Sequence, residues 1–366
     1  MFEAATGLTT LGDTLGWALL LGRVTLLYLI IVHTVPAMIW VERKGAALIQ
    51  DRPGPNRVGP FGLLQPVADA LKFLFKEDPI PLHANRFLYV LAPFLTLIPA
   101  SLSMAALPFG DRLTLFGRTV PLQVANLDVG LLYLLSISSL GIYGILFGGW
   151  ASNNKFSLVG AIRASSQVVS YEIPLALAAV GSVLAYGTFN LRTMALAQEG
   201  TWMGIPRWGV LYQPLGFLIF FVAAFAETNR LPFDLPETEA ELVAGFHTEY
   251  GSMKFATFFM SEYMNLATMS GLITTLYFGA WHVPWIADAT LARWLGSANL
   301  AALVGLMVFL AKLSFFLCVF VWVRWTIPRF RFDQLVRLSW NNLLPLGLFN
   351  IGVTAILLFL LAGGLR

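Results

Sequence analysis

The 366-residue chain has one cysteine, four histidines and few charged residues. A single cysteine, Cys318, excludes an internal disulfide and any structural zinc or iron–sulfur cluster ligated by cysteines of this chain alone. Four scattered histidines argue against a dedicated metal site, so none is expected. The sequence also lacks a Walker A motif, a dinucleotide-binding GxGxxG and a nucleophile elbow. If the chain serves redox or nucleotide chemistry, its cofactors are therefore expected on other chains.

Long apolar segments are what the sequence has in abundance. Hydrophobic residues make up 57% of the chain and charged residues 12%, with a mean hydropathy of +0.73, which is typical of a polytopic membrane protein. No basic region followed by a small-residue cleavage site is found, so no removable signal is expected. We predict an all-α integral membrane protein, a single polytopic domain over 1–366 with about eight transmembrane helices and short amphipathic interfacial helices. The predicted spans are 17–40, 87–107, 127–149, 160–186, 208–226, 255–279, 299–323 and 341–363.

The distribution of basic residues predicts the orientation. Most of the 23 Lys and Arg residues lie in the links after the odd-numbered spans, which the positive-inside rule assigns to the cytoplasm. Both termini are then on the extracytoplasmic side. The net charge of +3 is explained by this orientation and indicates no nucleic-acid partner. Trp281, Trp285 and Trp294 fall in a short link that we interpret as a candidate surface helix.

The first cytoplasmic link, 41–86, combines a Gly/Pro-rich loop with an amphipathic helix. Its polar stripe has helical spacing and consists of Gln65, Asp69, Lys72 and Lys76. One interpretation is a helix lying in the headgroup layer with its lysines outward. The other is the wall of a cavity at the membrane boundary, where an amphiphilic ligand enters. Just before this helix, Glu42, Arg43 and Lys44 end span 1 and can be read as interfacial anchors.

Several ionisable residues fall at membrane depth. Glu172 lies in the middle of span 4, Glu262 in span 6 and Lys312 near the centre of span 7, while Glu227 closes span 5. A charge at a helix centre costs roughly 3 kcal/mol on insertion scales. Either these groups pair with one another and fix helix packing, or they form a proton path. Their number and depth favour the proton path.

A cytoplasmic loop over 227–254 is unusually acidic for this chain. The helix dipole favours carboxylates in the first turn of a helix. This effect explains one or two of the loop's carboxylates, but the loop has more than two. We predict a short helix capped by Asp234 or Leu235, with Pro236 in its first turn and two of the carboxylates on one face, four residues apart. The loop's carboxylates are Glu227, Asp234, Glu237, Glu239, Glu241 and Glu249.

Four segments resemble the signatures of one family, in order and over nearly the whole chain. They are VERKGAALIQDRPGPNRVGPFGLLQPVADALKFLFKE, RASSQVVSYEIPLAL, AETNRLPFDLPETEAELVAGFHTEY with MKFATFFMSEY, and RWTIPRFRFDQLVRLSWNNLLPL. They look like the conserved membrane subunit, called subunit 1 or the H subunit, of proton-pumping NADH:quinone oxidoreductase, respiratory complex I. The links 108–126 and 187–207 are not diagnostic.

The resemblance implies a subunit that is not catalytic alone and that forms part of a quinone chamber and the beginning of a proton path. The implied quinone-binding residues are Arg43, Asp69, Lys72, Arg230 and Phe233. The implied proton-path residues are Glu172, Glu227, Asp234, Glu237, Glu239, Glu241 and Glu262, to which the residue analysis adds Lys312. Quinone is the implied substrate. NADH, FMN and iron–sulfur clusters are expected on partner subunits, with no cofactor bound by this chain alone.

The implied partners are hydrophilic redox-arm subunits at the cytoplasmic face, and small and antiporter-like subunits within the membrane arm. The bacterial plasma membrane is the expected location, with an organellar inner membrane as the alternative. A second function remains open: the homologous membrane anchor of an energy-converting hydrogenase, in which no quinone binds. A free-standing proton-coupled transporter would require inverted repeats around a midplane site, and no internal repeat is found.

Overall fold

The computed structural model describes residues 14–115, 117–202, 204–236 and 239–363 and is mostly helical. Asn85 and Asn154 cap two of the long helices by accepting backbone N–H groups, as N-cap side chains do. The α-helices are α1 Thr14–Ile49, α2 Gln65–Phe75, α3 Arg86–Ser103, α4 Gly130–Ala151, α5 Lys155–Tyr186, α6 Leu191–Leu196, α7 Gly209–Tyr212, α8 Pro214–Glu227, α9 Glu239–Leu242, α10 Ser252–Tyr277, α11 Asp288–Leu295, α12 Ala298–Thr326, α13 Phe332–Arg337 and α14 Leu344–Gly363.

Each of the eight predicted spans is largely helical in the described structure. Six stretches are long and apolar enough to cross a membrane: α1, α3, α4, α5, α12 and the stretch that joins α13 to α14 through a π-helical turn at Leu338–Leu343. The segment predicted over 208–226 divides into α7 and the 14-residue α8, because Pro214 begins a new helix. The helix count and the side of the termini stay predictions.

Helix α10 is the centre of the bundle. Residues 266–277 of this helix are all buried, and they contact side chains of several neighbouring helices. Its serine, threonine and asparagine side chains make it more polar than its neighbours. A helix surrounded by protein does not need an apolar surface all round, so α10 tolerates these residues.

The first helix is longer than its apolar stretch predicts. It runs through Glu42, Arg43 and Lys44 to Ile49 instead of ending near residue 40. The charged residues therefore lie on a helix that continues past the apolar segment. This continuation places Glu42 against the bundle, where it is buried, and Arg43 toward α2.

The links at the other end of the bundle contain two small antiparallel hairpins, which the all-α prediction did not include. They are β1 Arg112–Leu115 with β2 Arg118–Pro121, and β3 Thr201–Trp202 with β4 Ile205–Pro206. Between α10 and α11 the chain is irregular, and its residues 279–282 are buried. The predicted surface helix is present only as α11, which carries the exposed Trp294. Trp285 is exposed in the irregular part of the link, and the prediction is wrong for Trp281, which is 2% exposed.

Candidate functional site

A buried ion cluster joins helices of the bundle to the loop after α8. Arg230 Nη1 lies 2.9 Å from Glu42 Oε2, and Arg230 Nε lies 2.7 Å from Glu262 Oε1. Arg324 pairs with the other oxygen of Glu42, and the Tyr263 hydroxyl donates to Glu42 Oε2 at 2.7 Å. We call these five residues the Arg230 cluster. Two guanidinium groups balance two carboxylates, which is the arrangement that makes buried charges tolerable.

Arg230 is held mainly by the two carboxylates of this cluster. Arg230 is 4% exposed and its guanidinium lies 4.4 Å from the centre of the Tyr263 ring, a cation–π contact. Burial alone would lower the pKa of Arg230. The carboxylates of Glu262 and Glu42 outweigh that effect and hold the pKa above its usual value. Arg230 is therefore a permanent positive charge between two acids.

The turn that places Arg230 follows directly from the local sequence. Helix α8 ends at Glu227, and Asn229 adopts a left-handed backbone conformation with φ of 50°, which asparagine tolerates better than most residues. The side-chain amide of Gln167, on α5, donates to the Ala226 carbonyl at 2.9 Å and to Asn229 Oδ1 at 3.1 Å. These bonds fix the turn against α5, so the next residue points into the bundle.

A small polar cavity lies beside the cluster. Glu227 and Glu262 both line it, together with Asn229, Ser261 and Asn265 among other residues. About 50 Å³ is accessible to the centres of water molecules, and one water needs roughly 10–15 Å³ on that measure. Glu227 Oε2 is buried and has no hydrogen-bond partner among the described residues. The cavity therefore offers room for several waters between two carboxylates.

Glu172 lies farther along α5, one of the helices long and apolar enough to cross a membrane. Val168, one turn earlier on the same helix, lines the cavity, and Glu172 itself is not part of its lining. Glu172 is half-buried. The structure thus places Glu227 and Glu262 on one cavity and Glu172 one turn beyond it on α5. Their role in a proton path stays a prediction.

The acidic loop is described only in part. Asp234 pairs with Arg329 at 2.9 Å, and Glu241 pairs with Arg163 at 2.6 Å. Glu237 and the side chain of Glu239 lie outside the described residues. The predicted helix start at Asp234 or Leu235 is wrong, because Pro236 lies in a bend and the four-residue α9 begins at Glu239.

The end of the acidic loop contacts the link over residues 41–86. The Ser252 hydroxyl donates to the carbonyls of Phe73 and Lys76 at 2.8 and 2.9 Å, and Lys254 pairs with Asp78 at 2.8 Å. The two links, which lie far apart in the sequence, are therefore joined to each other.

The five predicted quinone-binding residues fall into two groups. Arg43 pairs with Asp69 at 2.7 Å, Gln65 donates to the same carboxylate at 3.0 Å, and Lys72 is exposed on α2. These residues border the surface.

The second group lies inside the bundle. It consists of Arg230 and Phe233, whose ring is 3% exposed and packs against Tyr171 and Phe330. Adjacent residues of α1 link the groups, since Arg43 faces α2 and Glu42 contacts Arg230.

Sequence reasoning missed part of the site. It interpreted Glu42 as an interfacial anchor and gave no role to Tyr263, Arg324 and Arg329, each of which contacts a site residue. One feature of the sequence did point to Glu42: its carboxylate ends an otherwise apolar stretch and lies directly beside Arg43 and Lys44. Arg324 gave no such signal, because a basic residue at a span end is ordinary.

Lys312 is not brought together with the carboxylates. Its ammonium donates to the carbonyls of Phe278, Ala280 and His282 at 2.8, 3.0 and 2.8 Å, beyond the C-terminal end of α10. Glu262 lies 16 residues before Phe278, a distance of roughly 24 Å along a helix. The role of Lys312 in a proton path stays a prediction.

Comparison with known proteins identifies the family. Residues 22–355 match the family model described as NADH dehydrogenase. The chain is 46% identical to the NADH-quinone oxidoreductase H subunit of Bdellovibrio bacteriovorus, over 92% of this chain and 95% of that protein. It is 47% identical to the first H subunit of Geobacter metallireducens, over 94% and 97% of the two chains, and 47% identical to the first H subunit of Cytophaga hutchinsonii, over 87% and 91%. The chain therefore belongs to the family of NADH-quinone oxidoreductase H subunits.

Proposed function

We propose that this chain is the membrane subunit that connects quinone reduction to proton movement in an NADH:quinone oxidoreductase of a bacterial plasma membrane. The observation that carries the proposal is the direct contact of Arg230 with Glu262, beside a polar cavity that Glu262 shares with Glu227. The contact joins a residue proposed to border quinone to the carboxylates proposed to move protons.

The proposed quinone chamber is bordered by Arg43, Asp69 and Lys72 at the surface and by Arg230 and Phe233 within the bundle. The apolar side of α2 is exposed and suits an amphiphilic substrate. It presents Val67, Leu71, Leu74 and Phe75. Reduction of a quinone by two electrons develops negative charge on its oxygens, which is stabilised by nearby cations or by protons.

The proposed proton path begins in the acidic loop and continues through Glu227 to Glu262 and Glu172. A negative charge that appears near Arg230 weakens the hold of this cation on Glu262. The carboxylate then gains proton affinity, and the waters of the cavity connect it to Glu227. Transfer against the membrane potential requires about 2.3 kcal/mol per charge per 100 mV, which burial and charge pairing of this kind can supply. The loop carboxylates at the start of this path are Asp234, Glu237, Glu239 and Glu241.

The electron donor and its cofactors are proposed to reside on partner subunits. NADH, FMN and iron–sulfur clusters would belong to hydrophilic subunits at the cytoplasmic face, and antiporter-like subunits would continue the path in the membrane. The experiment that tests the assignment is purification of the tagged chain from its native membrane in mild detergent. Co-purification of flavin, iron–sulfur clusters and NADH:quinone reductase activity supports it. Nickel with hydrogen evolution would assign the chain to a hydrogenase instead.

The proton path is tested on the intact complex with Glu227→Gln and Glu172→Gln. Each variant should abolish quinone-linked pumping while electron flow from NADH to an artificial acceptor continues. Glu77→Gln is the control, because Glu77 is exposed and lies outside the cavity. Unchanged pumping in both Glu227→Gln and Glu172→Gln would defeat the proposed path.

A further inference from the structure

Helix α2 has little buried surface of its own. Of its 11 residues, Pro66 is buried and six are exposed, with the others in between. A helix with so little packing depends on specific contacts for its position, because burial of one face supplies most of the stability of a helix in a protein. The position matters here, since α2 carries Asp69 and Lys72 of the proposed quinone chamber.

The last turn of α2 is held by the first turn of α10. Ser252, the first residue of α10, shares its hydroxyl proton between the carbonyl oxygens of Phe73 and Lys76, at 2.8 and 2.9 Å. Carbonyls at a helix C-terminus lack N–H partners within the helix and need an outside donor. The Phe255 ring, on the next turn of α10, lies 5.9 Å from the Phe73 ring between centres. The start of α10 thus supplies both a polar cap and an aromatic contact.

An ion pair extends this contact just beyond the end of α2. Lys254 Nζ lies 2.8 Å from Asp78 Oδ2, and the same ammonium lies 5.2 Å from the centre of the Tyr89 ring. The Lys254 side chain is 13% exposed, so water screens this pair less than it screens a pair on an open surface. The chain that follows α2 is therefore held to α10 by charge.

The segment before Ser252 is itself fixed to the bundle. The rings of Tyr250 and Tyr89 stack with their centres 4.1 Å apart, and both residues are buried. The Tyr250 hydroxyl donates to the Tyr89 carbonyl at 3.1 Å, and the Tyr89 hydroxyl donates to the Glu249 carbonyl at 2.6 Å. Ser252 therefore contacts α2 from a chain segment whose position α3 determines.

The backbone of Ser252 also indicates that its hydroxyl is used. Its φ is 52° and the residue is 4% exposed. Glycine adopts this left-handed conformation at little cost, whereas residues with a Cβ atom adopt it less readily. Such conformations persist where the surrounding structure requires them. The bonds to Phe73 and Lys76 are what serine provides at this position and glycine does not.

We propose that Ser252 is a positioning residue for quinone binding. Through the last turn of α2 it holds Asp69 and Lys72 at the border of the chamber. The inference rests on the proposed function, which assigns these two residues to the quinone. Helix α10 also carries Glu262, ten residues after Ser252 and roughly 15 Å along the helix. The contact that holds α2 and the proposed proton-path carboxylate therefore belong to one helix.

The first test measures hydrogen exchange of the α2 backbone amides in the intact complex in lipid nanodiscs. Ser252→Ala removes the hydroxyl, so amides over residues 69–76 should exchange about fivefold faster, the effect of one lost hydrogen bond. Thr257→Val is the matched control, because the hydroxyl it removes donates to the Met253 carbonyl within α10. Exchange in this control should be unchanged. Unchanged exchange in Ser252→Ala would overturn the inference.

A glycine variant separates the hydroxyl from the backbone conformation. Ser252→Gly lacks the hydroxyl but adopts the left-handed conformation readily. We expect the α2 amides of Ser252→Gly to exchange as fast as those of Ser252→Ala. Exchange at the rate of the unmodified complex in Ser252→Gly would show that the backbone, and not the hydroxyl, positions α2, and would also overturn the inference.

The second test is steady-state kinetics of the intact complex with a short-chain quinone. Ser252→Ala should raise the KM for quinone by about fivefold, while kcat and electron flow from NADH to an artificial acceptor stay near those of the unmodified complex. A merely structural role would lower both rates instead. Faster exchange in α2 with an unchanged KM would overturn the inference by removing α2 from the chamber. Failure of the proposed function itself would appear separately, as absence of quinone reductase activity from the unmodified complex.

Reversal of the ion pair provides a rescue. Lys254→Glu places a second carboxylate against Asp78 and should raise the KM for quinone, as Ser252→Ala does. Addition of Asp78→Lys restores an attractive pair with the charges exchanged, so the KM should return toward that of the unmodified complex. A double variant with the KM of Lys254→Glu alone would contradict a positioning role for this contact.

Discussion

Arg230 Nε lies 2.7 Å from Glu262 Oε1, in a position where the arginine is almost fully buried. Charges in such surroundings are weakly screened, so a change on one group alters the other strongly. Glu42 holds the opposite side of the same guanidinium. A negative charge developing near Arg230 therefore competes directly with Glu262 for this cation.

Two replacements of Arg230 should distinguish the contribution of its charge to stability from the contribution of its shape. Arg230→Met leaves Glu42 and Glu262 without this partner and should lower the free energy of unfolding by about 3–5 kcal/mol. Arg230→Lys keeps the charge but cannot bridge two carboxylates with separate N–H groups, so we expect an intermediate loss. The measurement is thermal or denaturant unfolding of the complex in nanodiscs. Arg293→Met is the control at an exposed arginine, and a near-neutral Arg230→Met would show that the cluster is not needed for stability.

Replacement of Asp69 should change the KM for quinone and leave the stability of the protein nearly unchanged. Its pair with Arg43 is partly exposed, with side-chain exposures of 26% and 48%, and such pairs contribute about 0–1 kcal/mol. Asp69→Asn should therefore leave the unfolding midpoint nearly unchanged, while the KM for quinone rises by up to about tenfold, the effect of about 1.4 kcal/mol. Steady-state kinetics with a water-soluble quinone measures this effect. Asp51→Asn, at an exposed residue of the same link, is the matched control. An unaltered KM in Asp69→Asn would remove this residue from the proposed chamber.

His247 should make stability depend on pH. Burial among aromatic rings lowers the pKa of His247 to about 4, whereas an unfolded histidine has a pKa of about 6.5. Between these values the unfolded chain binds a proton that the folded chain does not. Stability therefore falls as the pH falls from about 6.5 to about 4, by on the order of 3 kcal/mol for this group.

The measurement for His247 is the unfolding midpoint as a function of pH. His247→Leu should flatten the profile between the two pKa values, while the exposed His83→Leu should leave its slope as it is. The opposite result, with the slope retained in His247→Leu, would assign the pH dependence to other groups.

Lys312 should act through structure. Its ammonium serves three backbone carbonyls in the link after α10, and Lys312→Met would leave these acceptors unpaired at a cost on the order of 3 kcal/mol. We expect lower stability and an unchanged number of protons pumped per electron in the complexes that remain folded. Lys155→Met, at an exposed lysine, is the control. Loss of pumping with full stability would instead support the predicted role of Lys312 in the proton path.

The sequence by itself determined the class of protein and the positions of its long apolar helices. Transfer into lipid is close to additive along the chain, so hydropathy locates apolar helices without knowledge of their neighbours. The same reasoning identified Glu172, Glu227 and Glu262 as exceptional, because each violates that pattern. Hydropathy could not predict where α1 ends or that the link around Trp281 is irregular. Both features depend on burial by other parts of the protein and not on transfer into lipid.

The tertiary structure decided the pairing of charges. Glu42 meets Arg230 and Arg324 across 188 and 282 residues of sequence, and no local pattern indicates such partners. An apolar segment is recognised from its own composition, but an ion pair depends on distance in space. Glu42 consequently changed from an expected surface anchor to a buried partner of Arg230, and Lys312 gained three backbone acceptors that no sequence pattern indicated.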